Sequence, residues 1–159
     1  MTPLQLTAAT AAIANGGYLM EPFVVERVVD SQGQVTRKNQ PHVVRKVIAR
    51  DVATLVSRMM EMTTEDGGTA TNARVPGFRV AGKTGTAQVF TIAQDEEYDE
   101  DEIEERLKDH ALFVAFAPVE NPQIAVAVIV ENGSSGSGVA APIAKAIMDR
   151  YLGYDDAAD

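Results

Sequence analysis

The chain has 159 residues, 45% of them hydrophobic, no cysteine and a formal net charge of −9. That length and apolar content suit one domain with a sizeable core, and the missing thiols exclude disulfides, thiolate catalysis and cysteine-based zinc sites. The longest apolar runs, Ala111 to Val119 and Ile124 to Val130, fall far short of the roughly 18 residues a membrane helix needs, and the acidic surplus excludes a broad basic face for nucleic acid.

Thr2-Pro3-Leu4-Gln5 is a helix start: Thr2 is placed as N-cap, Pro3 fills the first helical position and Gln5 completes a capping box. The run that follows is rich in alanine, small enough to pack closely on a sheet, and Asn15-Gly16-Gly17 ends it. Met1 stands directly before the cap and has no basic stretch of the signal-peptide kind. The natural chain is therefore expected to begin earlier, and the sequence is read as a fragment.

Phe23 to Val29 and Gln34 to Arg37 read as short strands joined by Asp30-Ser31-Gln32-Gly33, a hairpin turn with its glycine late. Pro41 breaks the chain. From Ala49 to Thr64, Val52, Leu55, Val56, Met59 and Met62 recur at helical spacing, which predicts a helix with its methionines in the core. Gly67-Gly68 is its expected stop.

Arg79 to Phe90 reads as a strand holding Lys83-Thr84-Gly85-Thr86. A fixed positive charge, two hydroxyls and a bare backbone lie side by side there, which suits an extended ligand ending in a carboxylate. Glycine at 85 lets such a ligand come close. Gly77 to Thr84 also satisfies the phosphate-loop pattern, which would make Lys83 a phosphate ligand and Thr84 a magnesium ligand. That loop needs a helix starting at the lysine. Phe78, Arg79, Val80 and Ala81 favour extension instead, and Gly85 falls where the helix should be growing. Arg79 is expected to pair with acids across the sheet.

Between Thr91 and His110 stand ten acids against Arg106 and Lys108, so the other 139 residues are nearly neutral. Such a run reads first as a solvated insertion, with a metal or partner site, or gating of a site mouth, as alternatives. Ala111 to Ala117 and Gln123 to Val130 form an antiparallel pair across Pro118 to Pro122, and their unbroken apolar content predicts cover on both faces. Gly133 to Gly138 reads as a flexible joint. A last helix, Val139 to Leu152, carries Val139, Ile143, Ile147 and Tyr151 on one stripe, stops at Gly153 and leaves a frayed tail, 154–159. His110 reads as a structural hydrogen-bonding group and His42 as a loop residue. No metal site is expected from two separated histidines.

Taken together, Thr2-Pro3-Leu4-Gln5-Leu6, Asn15-Gly16-Gly17, Gly68-Thr69-Ala70, Val80 to Gln88 and Phe116-Ala117-Pro118 resemble, in order and spacing, the C-terminal half of a class B penicillin-binding transpeptidase domain. Ile103 to His110 and Val126 to Gly133 are most similar to the elongation-type members. The resemblance implies an α+β fold, part of the β-lactamase-like architecture, in which an antiparallel sheet with flanking helices and a small hairpin spans residues 1–153, interrupted by an acidic insertion at 91–110. It implies no cofactor.

The resemblance further implies a serine acyl-transfer on the D-alanyl-D-alanine end of peptidoglycan stem peptides, a step that β-lactams intercept. Lys83 would assist proton traffic and carboxylate binding, Thr84 and Thr86 would bond the substrate carboxylate, Gly85 would make room, and the Thr86 amide would serve the oxyanion hole. The parent protein would work at the periplasmic face of the inner membrane, with this fragment itself soluble. None of Ser31, Ser57, Ser134, Ser135 and Ser137 has lysine three residues on or asparagine two residues on. The Ser-x-x-Lys and Ser-x-Asn elements are thus absent, and the fragment alone is expected to be inactive. Without the missing N-terminal half of the domain, the strand at 123–130 would keep an open edge, and self-association through it, or another compensating contact, is expected. Two other readings compete: a nucleotide-binding module using Gly77 to Thr84, and a non-catalytic binding module.

Overall fold

In a computed structural model the described residues are 1–88 and 108–153. Helix α1, Pro3–Ala14, begins at the expected capping box: the Thr2 hydroxyl accepts from the Gln5 amide at 3.2 Å, and the Gln5 side chain accepts from the Thr2 amide at 2.9 Å. Asn15 closes it and ties it onward, donating to the Tyr18 carbonyl at 2.7 Å and accepting the Tyr18 amide at 2.8 Å.

Strand β1, Tyr18–Met20, follows and pairs antiparallel with β4, Val43–Lys46. Neither was expected, because three or four residues of mixed polarity give no period to read. The Gly17 carbonyl accepts from Val47 and Ile48 at 2.8 and 3.4 Å. At φ +105°, with a would-be Cβ only 2.1 Å from the Ile48 carbonyl oxygen, position 17 admits only glycine.

The expected hairpin is present as β2, Arg27–Val29, and β3, Val35–Lys38. The Asp30 carboxylate holds its turn by accepting the Gln32 and Gln34 amides, each at 2.9 Å. The first arm starts at Arg27 rather than Phe23, because β3 offers only four residues to pair with and Asn39 already bonds back to the Glu26 carbonyl.

Helix α2, Arg50–Glu61, corrects the sequence reading of its inner face. Val52, Leu55, Met59 and Met62 are exposed, Met62 by 65%, while Ala53, Met60 and Glu61 are buried. The small Ala53 lets the helix approach closely, and the larger stripe is left on the outside. Its end also comes before the glycines, in a run of turns over 62–67.

Three strands make the central sheet in the order β5-β6-β7: β5 is Ala81–Ala87, β6 is His110–Ala117 and β7 is Ile124–Val130, all antiparallel. One face carries Ala81 and Phe116 under Met60, Ile13 and Val56 from α2 and α1. The other carries Ala111, Phe113, Ala115, Val126 and Val128 under Ala140, Ala141, Ala144 and Met148. Helices on both faces account for the unbroken apolar runs of β6 and β7. Those last four residues belong to a π-helical turn, Gly136–Ala140, and to α3, Ala141–Leu152, which stops at Gly153 with φ +79°.

Gly133 to Gly138 is no flexible joint: the Ser135 hydroxyl accepts the Gly138 amide at 2.9 Å, and Gly136 is buried against the sheet. The stripe of Val139, Ile143, Ile147 and Tyr151 faces outward, because the alanines of α3 take the sheet side. Among the described residues β5 and β7 are the edges of the sheet, and no helix is long and apolar enough to cross a membrane. The tail at 154–159 lies outside the described residues.

Candidate functional site: the outer edge of β5

Lys83, Thr84, Gly85 and Thr86 lie extended on edge strand β5, opposite Val114, Phe113, Leu112 and Ala111 of β6. The structure thus brings all four site residues into one row. In an antiparallel ladder the backbone groups of alternate residues face the same edge. The carbonyls of Val80 and Gly82 face away from β6, toward Thr64 and Thr63 after α2, so those of Thr84 and Thr86 share that outer edge. Lys83 is exposed, and its ammonium donates to the Thr84 carbonyl at 2.5 Å; Thr86 is exposed and Gly85 half-buried.

Two glycines fit the strand to its neighbours. A Cβ on Gly82 would lie 2.5 Å from Cζ of Phe113, so glycine there lets the ring pack beneath the strand. A Cβ on Gly85 would lie 3.3 Å from Cβ of Leu112.

Arg79 anchors the entry to β5, as the sequence suggested. Its guanidinium forks onto both carboxylate oxygens of Glu61 at the end of α2, through Nε to Oε1 and through Nη2 to Oε2 at 2.6 Å, and reaches Glu120 in the β6–β7 turn at 2.7 Å. The Glu61 side chain is only 9% exposed, so the fork compensates a desolvated charge. Hydrogen bonds donated to Glu61 and then to Glu120 hold the Arg79 guanidinium above its ordinary range. Glu120 is held below the usual carboxylate range, first by a backbone hydrogen bond at its own residue and then by Arg79.

The same coordinates decide the competing motif. Lys83 stands in mid-strand with no helix starting at it, so the amide cradle of a phosphate loop is not formed over Gly77 to Thr84. His110 takes a structural hydrogen bond, its Nδ1 accepting the Asn132 amide at 3.0 Å, and His42 pairs with Glu21 at 3.2 Å in an exposed loop. Most of the acidic insertion falls outside the described residues. The sequence reading missed Glu61, Thr63, Thr64 and Gly136 as supports of β5. No local pattern marks them, because each meets β5 from a distant part of the chain.

The chain is thus an α+β fold whose charged, hydroxyl-bearing edge strand belongs to an antiparallel sheet with helices on both faces. The family described as penicillin binding protein transpeptidase domain matches residues 1–149, and the chain belongs to that family. It is 42% identical over 151 residues to the peptidoglycan D,D-transpeptidase MrdA of Acinetobacter baumannii, covering 95% of this chain and 22% of that relative. It thus spans about a quarter of the length of the curated relatives it matches. Among solved structures, Pseudomonas aeruginosa PBP2 in complex with WCK 5153 is similar at TM-score 0.73 and 38% identity, over 98% of this chain and 31% of that one. Penicillin-binding protein A of Mycobacterium tuberculosis, as its penicillin G acyl-enzyme, is similar at TM-score 0.73 and 30% identity, over 96% and 32%.

Proposed function

We propose that this chain is the substrate-binding part of a peptidoglycan D,D-transpeptidase of the elongation type, and that Lys83 to Thr86 receive the carboxylate end of a stem peptide. The observation that carries the reading is the exposed Lys83 ammonium held at the Thr84 carbonyl, beside the outward-facing backbone of Thr84 and Thr86 on the β5 edge. The Lys83 ammonium supplies the charge for a carboxylate and helps move the proton of the acyl transfer. Thr84 and Thr86 offer hydroxyls, Gly85 leaves room, and the Thr86 amide donates to the oxyanion of the tetrahedral intermediate, a contact worth about 3 to 4 kcal/mol of barrier. β-Lactams enter by the same route.

No serine of these 159 residues has the lysine or asparagine neighbour that would make it the nucleophile. The attacking serine and its base are supplied by protein preceding this segment, which also covers the β7 edge and the exposed stripes of α2 and α3. Without that cover the chain self-associates through β7. The whole enzyme acts at the periplasmic face of the inner membrane.

Covalent labelling with a fluorescent penicillin tests this. The chain alone should remain unlabelled. A fusion with the preceding part of the transpeptidase domain from the Acinetobacter relative should label, and Lys83→Ala in that fusion should lower the rate at least tenfold. Labelling of the chain alone, or an unlabelled but folded fusion, overturns the reading.

A further inference from the structure

We propose that the hydroxyls of Thr63 and Thr64 close the inner half of the β5 edge and so fix the register in which a peptide ligand can pair with it. This specificity role rests on the peptide-binding reading above. The outer edge of β5 presents the backbone groups of Val80, Gly82, Thr84 and Thr86 in succession. The Thr64 hydroxyl donates to the Val80 carbonyl at 2.7 Å, and the Thr63 hydroxyl to the Gly82 carbonyl at 2.8 Å. Each hydroxyl also lies against a carbonyl three residues before it, Glu61 at 3.0 Å and Met60 at 2.8 Å. One proton at each position therefore bridges the helix end and the strand, and the turn after α2 lies along the edge where a pairing strand would otherwise run.

Thr64 is 4% exposed, so this pin is shielded from competing water. Arg74 adds a second tie, its Nε donating to the Thr64 carbonyl at 2.5 Å. Backbone pairing is thereby confined to Thr84 and Thr86. Two outward-facing residues span about 7 Å of strand, enough for the last two or three residues of a peptide. A longer strand meets the Thr63-Thr64 turn, so the edge selects a chain end over a chain middle.

The test uses the 15N-labelled 159-residue chain and two probes, N-acetyl-D-alanyl-D-alanine and the capped hexapeptide acetyl-Val-Thr-Val-Thr-Val-Thr-amide. Both should shift the Thr84 and Thr86 amides and leave those of Val80 and Gly82 in place. In the double variant Thr63→Val, Thr64→Val, exchange of the Gly82 amide should quicken about tenfold as the turn is released, and the hexapeptide footprint should extend to Gly82 and Val80. The double variant with serine at both positions should restore the confined footprint. Should the double valine variant fail to fold, Thr63→Val alone, which spares the more deeply buried Thr64, carries the same test at Gly82. Hexapeptide shifts reaching Gly82 in the unaltered chain overturn the proposal. So does a folded valine variant whose Gly82 exchange and footprint are unchanged. A confined hexapeptide footprint with no response to the D-alanyl dipeptide supports the closure while removing the carboxylate-receiving role proposed for Lys83 to Thr86.

Discussion

Gly136 sits directly on the backbone of Gly85: a Cβ added at 136 would lie 2.7 Å from the Gly85 carbonyl oxygen, 3.2 Å from its nitrogen and 2.6 Å from the Leu112 carbonyl oxygen. Two glycines thus let the turn before α3 seat on the strand that carries Lys83 to Thr86, leaving no space for a side chain.

This contact predicts an asymmetry between two conservative changes. Gly136→Ala must push backbone away from backbone and should cost about 2 to 4 kcal/mol. Gly85→Ala meets only Cβ of Leu112 at 3.3 Å and should cost less than about 1 kcal/mol. Urea unfolding of both variants measures the difference.

The Arg79 clamp predicts a pH dependence with a definite sign. Glu120 ionises below its usual value of 4.5, because its own backbone hydrogen bond and Arg79 favour the carboxylate. A depressed folded-state pKa means that its contribution is fully present above pH 4.5 and is lost as pH falls through the lower folded value. The unfolding midpoint of the wild type should therefore exceed that of Glu120→Gln at pH 6, and the gap should shrink as the pH falls below 4.5. Arg79→Lys should lower stability more than Glu120→Gln at pH 7, since a lysine cannot fork onto both oxygens of the buried Glu61.

Neighbouring methionines of α2 should behave oppositely. Met60 is 8% exposed and packs on Ala81 and Phe116, so Met60→Ala should cost about 2 to 4 kcal/mol. Met59 and Leu55 are more than half exposed, and Met59→Gln with Leu55→Gln should stay within about 0.5 kcal/mol each. The second pair should also reduce association of the chain, read by light scattering, because it removes an apolar stripe from the surface.

Lys83→Ala separates fold from ligand. The side chain is exposed and its ammonium donates to the neighbouring Thr84 carbonyl, so the unfolding midpoint should not move. Affinity for N-acetyl-D-alanyl-D-alanine, read by NMR titration, should fall about tenfold or more with the loss of a charge-assisted bond.

What local chemistry could specify was legible in the residues. The capping box of Thr2 and Gln5, the Asp30 hairpin turn, the helix stop at Gly153 and the extended character of Lys83 to Thr86 each depend on a few adjacent positions, and each stands in the structure. The continuous apolar runs of β6 and β7 likewise foretold helices on both faces of the sheet. Periodicity, by contrast, locates an apolar stripe without saying what it faces. Hence Met59 and Met62 read as core, whereas close packing by Ala53 leaves them outside, and the stripe of Ile143 and Ile147 has no side assigned to it until Ala141 and Ala144 take the sheet. The supports of β5 were beyond any local reading for a related reason. Thr63, Thr64, Glu61 and Gly136 reach β5 across long stretches of chain, and only the folded path brings their hydroxyls, carboxylate and bare backbone against it.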